Sequence, residues 1–153
     1  MKVKSLGFNV NNFKSKFNSF SKSIGSPFNI ENIEIEKGEK QNTATIMLTD
    51  LIAINLFMNK ENIVNEIIVI AQGDKSQKSG YDIMLAIGSI ISITSPQLNE
   101  SGRAEVLKSL GLNKGIPKKA VHTVDNIRYD LVYNHNVAIV FTASHKDNLQ
   151  DTH

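Results

Sequence analysis

Side chains able to move protons, ligate metals or cradle phosphate collect in three places in this chain. The first is the histidine set, His122, His135, His145 and His153. No two of these stand at helical i, i+4 spacing, and none sits in a ligand motif such as His-Glu-x-x-His, so no local metal site is encoded. The second is the acidic cluster Glu31, Glu34, Glu36 and Glu39. Glu34 and Glu36 share one face of a strand while Ile33 and Ile35 take the other. That is the period-two pattern of a half-solvated strand rather than an acid/base pair. The third is the loop from Gly73 to Gly80. Its two glycines and two lysines stand before a predicted helix, and a helix N-terminus with cations beside it can hold an anion. Lys75, Lys78, Ser79 and Gly80 are the candidate anion or partner-binding residues, although the Walker spacing is absent. No Gly-x-Ser-x-Gly elbow exists. No catalytic residue, metal ligand or cofactor is assigned.

The elements that must carry these residues read as follows. Val10, Phe13, Phe17, Phe20 and Ile24 recur every three or four residues and predict an amphipathic helix. Asn9 or Asn11 is its N-cap, Gly25 its stop, and its phenylalanine stripe packs on a sheet. Phe28 to Ile35, Ala44 to Leu48, Ile52 to Met58 and Ile63 to Ala71 predict strands joined by short polar turns, an antiparallel meander. Ser79 and Asp82 have capping-box-like spacing, so the second helix is expected to start near Gly80. It carries Ile83, Met84, Leu85, Ile87, Ile90 and Ile91, apolar nearly all round. Asn99 caps a third helix that runs to Leu110. Val121 to Val124 and Ile127 to Tyr133 flank a tight turn at Asp125-Asn126, and Val137 to Ala143 is strand again. The expected fold is α+β: an antiparallel sheet of about six strands with three helices packed on it, ordered α-β-β-β-β-α-α-β-β. One domain covers residues 1–145, and the polar tail 146–153 is expected to be flexible.

Bulk properties narrow the function classes. The chain has 153 residues, 41% hydrophobic and 21% charged, which suits one globular domain. It has no cysteine, which removes disulfides, thiolate nucleophiles and cysteine-based zinc sites. The net charge of +2 is too small to argue for nucleic acid. The phenylalanines fall in apolar stripes rather than on a basic stacking face, so nucleic acid is not an expected partner. Lys2, Lys4, Lys14, Lys16 and Lys22 all precede the first acidic residue, Glu31. A basic first helix of this kind offers proximity to anionic lipid or an acidic partner, and otherwise serves as a solvated face. The opening Met1-Lys2-Val3-Lys4 does not read as a leader, and the apolar stretch Ile83 to Ile93 is too short to span a bilayer.

The run Asn59 to Ile70, followed by Gly73-Asp74 and Ser79-Gly80-Tyr81-Asp82-Ile83-Met84-Leu85, resembles small, largely uncharacterised bacterial envelope proteins, many made as lipoproteins. Pro96 to Glu100 leading into Glu105 to Leu112 fits the same pattern, as does the opening helix around Phe13 and Phe17. The resemblance implies a periplasm-facing binding or regulatory domain and brings no active site with it. The chain lacks the leader and lipid-bearing cysteine of that pattern. A weaker resemblance is to type III secretion chaperones, which are usually acidic where this chain is slightly basic.

The leading expectation is therefore a non-enzymatic binding module of the bacterial cell envelope, of immunity, inhibitor or adaptor type. Its predicted partner face is the spare apolar surface of the second helix, Ile87, Ile90 and Ile91, which would also serve a homo-oligomer. The expected location is periplasmic or envelope-associated if a leader has been removed, and cytoplasmic otherwise. Two alternatives stand beside it. One is a cytosolic chaperone or adaptor that holds an unfolded segment on a sheet edge or apolar helix face. The other is an enzyme with a spatially assembled carboxylate or histidine site.

Overall fold

Asn9 opens the first helix by accepting the Asn12 N–H on its side chain at 2.8 Å, and Gly25, at φ +69°, lets the chain turn out of it. The computed structural model describes residues 3–73, 76–112, 119–134 and 138–148. Within them the order is α1 (Val10–Ser23), β1 (Ile35–Lys37), β2 (Asn42–Thr49), β3 (Ile52–Met58), β4 (Val64–Ala71), α2 (Gln77–Thr94), α3 (Glu100–Ser109), β5 (Lys119–Val124), β6 (Ile127–Asn134) and β7 (Ala138–His145). The class is α+β and every strand pairing is antiparallel. The sheet has seven strands, ordered β1-β2-β3-β4-β7-β6-β5, where about six were expected.

The register sorts side chains onto two faces. One inward row runs Ala44, Leu56, Ile67, Ala143, Tyr129, and the next runs Ile46, Ile54, Val69, Phe141, Leu131. All of these are buried. The helices fill this side: α2 lies against the central strands β4 and β7, with α1 and α3 beside it. Phe13 and Phe17 are fully enclosed, with ring centroids 6.1 Å apart. The aromatic stripe of α1 ends sooner than its spacing predicts. Phe20 is half-buried beneath the Arg103 guanidinium, 5.0 Å from its ring centroid, and Ile24 is exposed.

Two expectations are corrected by local hydrogen bonding. The helix expected near Gly80 begins at Gln77, because Ser76 accepts the Ser79 N–H at 3.0 Å and is the cap. Residues 28–34 do not pair as a strand. Ser21 Oγ donates to the Phe28 carbonyl, and Asn18 bonds both backbone groups of Ile30 at 2.7 and 2.8 Å, which ties this stretch to α1. The first residues of the tail, 146–148, bond back to the N-terminal segment through Asp147 and Asn148. The Lys4 N–H donates to Asn148 Oδ1 at 2.8 Å, Asn148 Nδ2 donates to the Lys4 carbonyl, and Lys4 Nζ pairs with Asp147 at 2.8 Å.

Candidate functional site

The predicted partner face on α2 is not a surface. Ile87, Ile90 and Ile91 are each 0% exposed, because the helix is sandwiched between the sheet and its neighbouring helices. A helix apolar nearly all round is here a central core element.

The predicted anion loop is only partly assembled. Lys75 lies outside the described residues. Lys78 reaches Asp82 at 2.7 Å, one helical turn on, so its charge is already matched. Ser79 is buried and Gly80 stands in the first turn of α2, where the Ser76 side chain and carbonyl take both backbone N–H groups. Two of the four N–H groups that an anion would use are therefore committed to the cap.

Among the described residues no three His, Asp or Glu side chains are placed to hold a metal ion. His122 is half-buried opposite Tyr129, and His145 Nδ1 accepts the Asp147 N–H at 3.1 Å. His135 and His153 lie outside the described residues. No helix among the described residues is long and apolar enough to cross a membrane.

A buried hydroxyl cluster joins α2 to β6. Tyr129 Oη lies 2.5 Å from Thr94 Oγ1 and 2.6 Å from Ser95 Oγ. Thr94 gives its proton to the Ile90 carbonyl, so it accepts from Tyr129, and Tyr129 accepts from Ser95. Burial pushes the Tyr129 hydroxyl above its ordinary pKa of 10.0, outweighing the bonds to Ser95 and Thr94 that pull it down. The folded chain thus holds this proton more tightly than the unfolded chain. Its stabilising contribution is complete below pH 10 and is lost as pH rises through the folded-state value. Urea titrations at about pH 9 and pH 11 should show a larger loss of stability in the native chain than in Tyr129→Phe. Equal losses would show that the hydroxyl ionises freely.

The surface with most to offer a partner is the other face of the sheet. No described helix covers it. One outward row runs Met47, Ala53, Ile70, Val140, Val132 across β2, β3, β4, β7 and β6. Met47 is 60% exposed, Val132 40% and Ile70 38%, and Val121 of the next row is exposed as well. Four of the exposed large hydrophobic side chains of the described residues thus share this face. Beside them Arg128 lays its guanidinium along Asp130, with Nε at 3.2 and 3.3 Å from the two carboxylate oxygens and Nη2 at 3.1 Å. This fork lies beside the apolar row on a face whose neighbouring rows also carry Thr45, Asn55 and Thr142.

The sequence holds one signal for this face. β4 reads Ile67-Ile68-Val69-Ile70, apolar at consecutive positions rather than at alternate ones. Such a strand suits a sheet covered on both sides, and the described elements cover one. The Tyr129 cluster and the Arg128–Asp130 pair carry no comparable signal. Comparison of the chain with protein-family models, curated proteins and solved structures finds no match.

Proposed function

We propose that this chain is a non-enzymatic binding module of the bacterial cell envelope that engages a protein partner through the open face of its sheet. The observation that carries this reading is the apolar row from Met47 through Ile70 to Val132, exposed on a sheet whose central strand β4 is apolar at the consecutive positions Ile67 to Ile70. Contiguous exposed apolar surface of this kind marks interaction sites in soluble proteins. The Arg128–Asp130 pair adjoining it would fix orientation, since charged groups within an interface set register and specificity. The envelope setting rests on the likeness of the segments around Asn59–Ile70 and Ser79–Leu85 to small bacterial envelope proteins.

The test is in-cell crosslinking of the native chain and of a double variant, Ile70→Lys with Val132→Lys. Both positions are exposed, so the substitutions should shift stability by about 1 kcal/mol or less. The native chain should capture one stoichiometric partner, and the variant should lose about nine-tenths of that capture or more, about 1.4 kcal/mol of affinity. Undiminished capture by a folded variant would remove the open face from consideration. Turnover in a hydrolase screen that a single point mutation abolishes would replace the binding reading with an enzymatic one.

A further inference from the structure

We infer that the free edge of β2 accepts an extended, lysine- or arginine-bearing segment of a partner protein, added to the sheet as a further strand. β1 pairs with β2 only at Asn42, Thr43 and Ala44. Beyond Ala44, no described residue pairs with β2 on that side. The stretch that would have continued β1 is held away by Asn18 and Ser21 of α1. A groove of about 510 Å³ is left between them, with Phe28 to Asn32 and Glu34 on one wall and Thr45 to Leu48 on the other.

Alternate residues of Thr45 to Leu48 direct both N–H and C=O into this groove, which is the template for strand addition. Proteins usually blunt such an edge with lysine, proline or a bulge. The stretch Thr45-Ile46-Met47-Leu48 has neither lysine nor proline, and the sole register shift of β2 falls only at its far end, between Met47 and Thr49. The charge of the groove selects the occupant. Glu31 and Glu34 are exposed in its lining, no lysine or arginine lines it, and neither carboxylate is ion-paired among the described residues. A second copy of this chain pairing through its own β2 would bring another Glu31 and Glu34 to the same place, so like charges oppose it. This site goes beyond the open-face reading and stands without it.

The probe is an acetylated octapeptide of alternating lysine and valine, titrated into the isotope-labelled full chain and followed by amide NMR. Two control peptides accompany it: one with glutamate for lysine, and one N-methylated at alternate residues, which keeps the charge and loses the strand-forming N–H groups. The lysine–valine peptide should bind about tenfold more tightly than either control. Its largest shifts should fall at Thr45 to Leu48 and Phe28 to Asn32. Glu31→Lys combined with Glu34→Lys should weaken it about tenfold, while Ile70→Lys with Val132→Lys leaves it unchanged. The inference is overturned by any of four results: no saturable shift, equal binding of the N-methylated peptide, shifts confined elsewhere, or dimerisation of the free chain through these same amides.

Discussion

Replacing Phe17 by alanine should cost about 3–5 kcal/mol of folding stability, the range for a buried aromatic truncated in a core. Phe17 is fully enclosed and its ring leans on Phe13. Phe13 in turn stacks on Phe8 with centroids 6.4 Å apart, so the neighbours are held in place and collapse poorly into the vacated space. A domain of this size has roughly 5–15 kcal/mol in total, so this one residue carries a large share. The melting temperature should fall by about 10 °C or more. Urea unfolding checks it directly. A loss under about 1 kcal/mol would place Phe17 at a surface and return α1 to the list of partner-binding elements.

Replacing Ile90 by alanine should cost about 2–5 kcal/mol, and here the size of the effect separates two accounts of α2. On a free partner face the same substitution would leave stability nearly unchanged and weaken binding instead. With Ile90 fully enclosed beside Ile87 and Ile91, and with its carbonyl accepting from Thr94, the loss falls on folding. The measurement pairs urea unfolding with the crosslinking yield of the open face. Lost stability with partner capture retained at low temperature is the expected outcome. Retained stability with lost capture would restore α2 as the docking surface.

These two residues also show what was legible in the sequence. Phe17 belongs to a stripe whose three- and four-residue spacing states its burial outright. Ile90 belongs to a helix apolar on every side, and such a pattern does not distinguish enclosure by the chain itself from enclosure by a partner. The difference depends on where α1 and α3 come to rest, which no local spacing encodes. The same limit applies to β1. Phe28, Ile30, Ile33 and Ile35 read as strand with a slip at Asn32, a bulge or two short segments, but the bonds from Asn18 and Ser21 cross from a helix and take the first part of it away. Tight local signals fared differently: Asn9 and Asn99 cap their helices, and Asp125 takes the left-handed conformation, φ +51°, in the turn expected of it. The candidate site was the least legible part, since an open sheet face is defined by what fails to cover it.

The strand order has a consequence for how the chain reaches this structure. β1 to β4 form from neighbours in sequence, and so do β5 to β7. One seam joins the two halves, Glu66–Ala71 against Ile139–Ser144, and its partners are separated by the whole of α2, α3 and two strands. Closing so long a loop is entropically costly and slow, so the seam should be among the last contacts made. Until it closes, β4 and β7 both present bare edges, and β4 carries four consecutive β-branched residues, Ile67 to Ile70. A half-folded chain would therefore expose the segment most prone to intermolecular β-pairing. With the two apolar strands at the centre of the sheet, the solubility of any chain not yet fully folded depends on how fast β7 reaches β4, or on a companion that shields β4 until it does.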